Sequence, residues 1–177
     1  MDATSATRHW LEKAVIGLNL CPFAKAVYLK QQIRWVESPA VDSAALLREF
    51  ERELTRLASS DPSIHDTTLL IHPHVLTAFL DYNDFLDEAD AAIRRLGLDG
   101  VIQVASFHPQ YQFAGTAPDD VGNLTNRSPH PMLHLLREDS IARAVEAFPD
   151  AASIYGRNIE TLRRIGTDGW DALMSSN

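Results

Sequence analysis

Apolar residues recur along this chain at two alternating periods, and the alternation predicts its elements. Leu11, Ala14, Val15 and Leu18 stand at helical spacing with Trp10 beside them. Ser5 can cap this first helix, which is expected to end between Gly17 and Asn19. Pro22 suits the first position of a new helical turn and leaves Cys21 where a cap would be. Gln32 to Glu37 reads as a short strand ended by Ser38-Pro39. Leu46, Leu47, Phe50, Leu54 and Leu57 then form an amphipathic stripe behind a cap at Asp42 or Ser43, and Ser59 to Ser63 breaks it. Thr67 to Ile71 is almost wholly β-branched or apolar, which marks a strand buried on both faces.

After His72-Pro73 the pattern predicts a short apolar helix or turn around Val75 to Leu80. Asn83 opens a longer helix with Phe85, Leu86, Ala89, Ile93 and Leu96 on one face, closed by Gly97 as a left-handed cap. Val101 to Ser106 is a third strand. Met132 to Arg137 is short enough for a strand or a helical turn. Asp139 or Ser140 caps a helix carrying Ile141, Ala144, Val145 and Phe148, and Pro149 interrupts it. A last helix carries Ile154, Tyr155, Ile159, Leu162 and Ile165 before Gly166.

This order implies an α/β fold, with a small, largely parallel sheet of about three to four strands packed with about five helices. The length, 177 residues, suits a single globular domain over 1–177. Parallel middle strands would bring their carboxyl ends to one edge, where open α/β sheets place ligands. Glu37-Ser38-Pro39, His72-Pro73-His74 and Ser106 to Pro109 would all leave that edge.

Phe107 to Pro131 has neither period. A connection of about two dozen residues inside a compact domain is usually functional or disordered. Here Phe107, Tyr111 and Phe113 can anchor it, and its remaining residues are mostly short hydrogen-bonding types, so an ordered loop over a site is expected.

Acidic residues outnumber basic ones by 24 to 16, a formal charge of -8, and the basic residues are scattered. That disfavours nucleic acid or an anionic membrane as a partner. The opening residues lack an export signal and no window approaches a membrane span, so a soluble cytoplasmic protein is expected. A single cysteine excludes an internal disulfide and fits a reducing compartment. Nothing in the composition names a cofactor or an oligomeric state.

Chemistry gathers at three places. Cys21, at a helix start, would have its thiolate favoured by unpaired amides, although a free cysteine is as readily a small buried hydrophobe. His72 and His108, at strand ends, could serve as bases. In the long loop, Arg127 offers a planar fork for a carboxylate or phosphate, with Asn126, Asn123, Asp119 and Asp120 around it. The same residues would equally serve as internal turn caps and braces. Together these point first to a small-molecule-binding enzyme with its pocket under the 107–131 loop. Cys21 would be the nucleophile of a thiol-dependent hydrolase or transferase, His72 or His108 its base, and Arg127 with Asn126 the anchor for an anionic substrate. Alternatives are a non-catalytic interaction module and a metal protein using His72, His74, His108, His130 and His134, although no strong metal-ligand signature is present.

Four strings add a resemblance: Val15 to Ala24 (VIGLNLCPFA), Leu80 to Leu86 (LDYNDFL), Gln103 to Thr116 (QVASFHPQYQFAGT) and Asn126 to Pro131 (NRSPHP). Together they resemble a bacterial family catalogued as domain of unknown function 1415. The resemblance implies a small soluble bacterial protein in which the long loop is a family feature. It brings no reaction, cofactor or catalytic residue with it.

Overall fold

Four strands, β1 (Ile33–Glu37), β2 (Thr67–Ile71), β3 (Ile102–Phe107) and β4 (Met132–Arg137), form one sheet in the spatial order β1-β2-β4-β3. The computed structural model describes residues 1–148 and 150–175, so the break expected at Pro149 lies outside the described residues. Helices cover both faces of the sheet. They are α1 (Ala3–Trp10), continued by a π-helical stretch over Leu11–Ile16, then α2 (Ala24–Leu29), α3 (Ser43–Ser59), α4 (Phe79–Arg95), α5 (Glu138–Ala147) and α6 (Ile154–Ser175). The α/β class is as the sequence implies.

The largely parallel sheet is correct only in part. β1 pairs with β2 in parallel, whereas β4 runs antiparallel to both β2 and β3. β1, β2 and β3 therefore share a direction, with β4 inserted between two of them. The reason lies in β4 and in the loop before it. Met132, Leu133 and Leu135 are fully buried and point to both faces, so the strand needs cover on both sides. The loop from β3 returns to the edge it left, and a strand entered from there must run back. The register pairs Met132 with Ile71 on one side and with Phe107 on the other, which brings both ends of the long loop level with the end of β2, with β4 between Phe107 and Ile71.

The pleat sorts the core into two clusters. Leu70, Leu133 and Leu135 face α3 and α4, where they meet Leu46, Phe50, Leu54, Leu57, Phe85, Ala89 and Ile93. Leu69, Ile71 and Met132 face the opposite way, toward Trp10, Leu11, Ala14 and Val15 with Leu162 and Trp170 of α6. Asp42 caps α3 as expected, its carboxylate accepting the Ala45 amide at 2.7 Å. At the other end, one Arg137 terminal nitrogen donates to the Leu57 and Ser60 carbonyls, at 2.6 and 2.8 Å, and so ties the end of α3 to β4.

Several helix ends differ from the sequence pattern: α1 is capped by Asp2 rather than Ser5, α2 starts after Phe23 rather than Cys21, and α5 starts at Glu138, ahead of the cap expected at Asp139 or Ser140. α4 starts at Phe79 rather than Asn83, so its first turn carries Tyr82 into the core. α6 does not stop at Gly166. That glycine kinks the chain (φ 65°, ψ -178°), and helix resumes through Ser175. The kink is open to a residue without a side chain, and the turn beyond it seats Trp170 against Trp10's cluster.

Candidate functional site

Ser38, His72 and His108 each directly follow a strand, and all three are buried. The His72 amide donates to the Pro131 carbonyl at 2.9 Å, one rung beyond β2 and β4, and the His108 amide ties the end of β3 to the loop through the Asn126 carbonyl at 3.2 Å. By the alternation of the strands, both histidine rings lie on the α4 face. His72 stacks on Tyr82 with centroids 5.8 Å apart, and His108 packs tilted on Tyr82 at 5.1 Å. Phe79 touches His108 at 5.5 Å and Tyr111 at 5.2 Å.

The hydrogen bonds set both tautomers. His72 donates from Nδ1 to the Val75 carbonyl at 2.9 Å, which leaves Nε2 as a bare acceptor, buried and with no partner among the described residues. His108 accepts the Gln110 amide on Nδ1 at 3.0 Å and donates from Nε2 to the Leu76 carbonyl at 3.1 Å. Burial pushes both imidazoles toward the neutral form, His72 down to about 4. These rings are neutral braces for the 72–78 turn, in which Leu76 holds a left-handed φ of 56°.

The polar residues of the long loop are largely engaged with the loop itself. Asn123 is fully buried. Its side-chain oxygen accepts the Phe113 amide at 2.9 Å and the Thr116 hydroxyl at 3.0 Å, and its amide group donates to the Ala117 carbonyl at 2.9 Å. Asp120 caps a 3₁₀ turn over Val121–Asn126 through the Gly122 amide, while Asp119 is exposed. Asn126 donates to the Ser106 carbonyl at 2.9 Å. Arg127 spans the loop, donating to the carbonyls of Tyr111 at 3.1 Å and Pro118 at 2.6 Å. Gly122 is where the loop meets α6, since a Cβ there would lie 2.8 Å from the Ile159 Cδ1.

Cys21 lies elsewhere. It packs into the cluster on the α1 and α6 face, across the sheet from the His72 and Tyr82 stack. The Phe23 and Ala24 amides reach its sulfur, as a helix start should allow, yet burial outweighs them and pushes the thiol up.

A cavity of about 350 Å³ opens on that same α1 and α6 face, at the carboxyl edge of the sheet. Pro109, Leu124, Arg127, Ser128 and Pro129 of the long loop form one wall. Ala6, His9 and Trp10 of α1 form the second, and Thr167, Trp170, Asp171 and Met174 of α6 the third, with Met1 at the rim. Trp10 packs edge-on to Phe107, the last residue of β3, at 5.4 Å, and so joins the cavity to the sheet end.

Of the residues singled out by sequence, the structure brings Arg127 to this cavity. It leaves His72 and His108 on the other face and Asn123 and Asn126 inside the loop. Among the described residues no three His, Cys, Asp or Glu side chains converge as metal ligands. The walls supplied by His9, Trp170 and Asp171 had no local signal, because they come from opposite ends of the chain. Trp10 reads in the sequence as an ordinary core position, and the turn beyond Gly166 carries no helical stripe long enough to detect.

Fold and site together define a three-layer α/β protein with a half-open cleft between its terminal helices and an ordered loop. No described helix is long and apolar enough to cross a membrane. The chain belongs to the family described as protein of unknown function (DUF1415), whose model matches residues 2–172. No curated protein and no solved structure matches it.

Proposed function

We propose that this protein binds a small organic anion in the cleft under the long loop. The carrying observation is the cleft itself. Its volume of about 350 Å³ falls in the range of small-molecule sites, its walls are mostly apolar, and the one arginine among its lining residues is Arg127. The apolar body of the ligand would lie along Trp10, Trp170 and Met174. Its acid group would meet Arg127, whose carbonyl bonds to Tyr111 and Pro118 hold the fork in place before any ligand arrives.

The cleft is furnished for binding rather than for catalysis. Ser128 donates its hydroxyl to the His130 carbonyl at 2.7 Å, and His9 bonds the Leu173 carbonyl at 3.4 Å, so neither is set up as a nucleophile with a base beside it. Thiol-dependent hydrolysis or transfer at Cys21 draws no support from its place across the sheet from His72 and His108.

Isothermal titration with 3-phenylpropanoate and its neutral amide tests the proposal. The carboxylate is expected to bind and the amide to bind at least about tenfold more weakly, the worth of one charge-assisted bond. Equal binding of the two, or none by either, would overturn it.

A further inference from the structure

The sheet ends in two edge strands, β1 and β3, and they are finished differently. Ser38 donates its amide to the Ile71 carbonyl and Gln32 accepts the Thr67 amide, so the even-numbered residues of β1 face β2. The backbone groups of Ile33, Trp35 and Glu37 therefore point out of the sheet, and among the described residues nothing hydrogen-bonds them. On β3 the outward positions are partly closed, because the Ile102 amide donates to the Leu98 carbonyl at 3.0 Å and the Ser106 carbonyl accepts the Asn126 side chain at 2.9 Å. A bare row of amides and carbonyls is a template for another strand. Two clefts of about 400 Å³ each flank β1, and Ile33 and Trp35 line both. Leu29, 68% exposed, belongs to one of them and Ile64, 72% exposed, to the other.

Charge selects the occupant. Glu49, Glu53 and Arg56 follow one another along the flank of α3 tied to β1, where Glu49 accepts the Ser38 hydroxyl and Glu53 accepts two bonds from Arg34, at 2.7 and 3.1 Å. Arg56 shares that one carboxylate at 3.7 Å, while Glu49 has no cation beside it among the described residues. The start of β1 thus carries an excess cation and its end an unmatched carboxylate. A copy laid antiparallel brings each end against the other. The pairing that uses all three outward positions turns about Trp35, which sets Ile33 opposite Glu37 and Trp35 opposite its own equivalent, with no like charges facing. We propose that β1 pairs antiparallel with β1 of a second copy of this chain, joining the two sheets into one. The contact is small, so a dissociation constant on the order of micromolar is expected. None of these residues lines the cleft under the long loop, so the dimer and the anion site stand or fall separately.

Sedimentation velocity on the full chain from about 1 to 100 µM, with residue-resolved amide exchange at both ends of that range, tests this. An equilibrium between monomer and dimer is expected. The Ile33, Trp35 and Glu37 amides should exchange about tenfold or more slowly at the high concentration, while those of Arg34 and Val36 stay protected at both. Glu37→Pro removes one outward amide and no bond to β2, and should weaken the dimer about tenfold with far-UV circular dichroism unchanged. Arg56→Glu and Glu49→Arg should each weaken the dimer and the double variant recover it, which loss of folding in a single variant would not mimic. A wild type that stays monomeric overturns the proposal, whether its edge is bare or taken by another protein. A dimer whose three outward amides exchange at one rate at both concentrations, or whose charge swap gives no recovery, overturns it as well.

Discussion

The hydroxyl of Tyr82 accepts the amide of Phe107 at 3.0 Å, and donates in turn to the Met132 carbonyl at 2.8 Å. One fully buried side chain from α4 thus spans the ends of β3 and β4, where the long loop departs and returns. Tyr82→Phe keeps the ring stacked on His72 but strands an amide and a carbonyl. Each such orphan costs roughly 1 to 3 kcal/mol, so the variant should lose about 2 kcal/mol or more in urea unfolding. A loss within experimental error would show that the hydroxyl does not brace the loop.

Acid should destabilise the fold through its buried imidazoles. His72 and His134 both have pKa values pushed down to about 4 by burial, from an ordinary 6.5. His72 faces Tyr82 and His108, and His134 bonds Thr67 at 2.7 Å. Between those two values the unfolded chain binds protons that the folded one refuses. Stability is therefore full above about pH 6.5, declines as pH falls toward 4, and stops declining from this source below it. Each histidine accounts for up to about 3 kcal/mol of that decline. Replacing His72 with Gln should flatten the slope of unfolding free energy against pH over this window, and an unchanged slope would exclude His72 as a source.

Cys21 should alkylate slowly. Burial raises its thiol above the ordinary value despite the two nearby amides, so the thiolate of this half-buried residue is scarce at neutral pH. Iodoacetamide labelling of the native protein near pH 7 should run well behind that of a free thiol and match it only after denaturation. Native labelling as fast as in denaturant would return Cys21 to the list of reactive groups.

Asn123→Ala should loosen the loop more than it weakens the core. The substitution removes bonds to Phe113, Thr116 and Ala117 from a buried position, which costs about 2 kcal/mol or more. Hydrogen exchange should rise across residues 111–126 with the strands unaffected. Protection that stays uniform there would mean that the loop is held by its apolar anchors alone.

Much of this architecture is legible in the sequence because it depends on near neighbours. The run Thr67 to Ile71 announces a central strand by composition, and α3 announces itself by its stripe, its Asp42 cap and its Ser59 stop. Gly97 takes the left-handed φ of 68° that a helix-ending glycine suggests. The strand ends also converge at one edge as the βαβ order implies. What local pattern could not convey is the place of β4. Its apolar faces say that it is buried, but the choice between edge and centre depends on which partners remain free once β1, β2 and β3 are laid down.

The loop shows the same division. Its composition marks it as ordered and polar, and the tertiary structure decides what each polar group does. Asn123, Asn126 and Asp120 turn inward because the backbone they satisfy is their own. Arg127 is the member that also reaches the cleft. The cleft exists because residues near position 10 and residues near position 170 meet across Phe107 and the loop. Sequence by itself therefore determined three of the four strands, the presence of most helices, the common strand edge and an ordered loop, all set by periodicity, capping and burial of short segments. Only the tertiary structure decided that Cys21 and the two buried histidines lie on opposite faces, and that Arg127 lines a cleft together with residues of α1 and α6, because these relations join segments that share no local pattern.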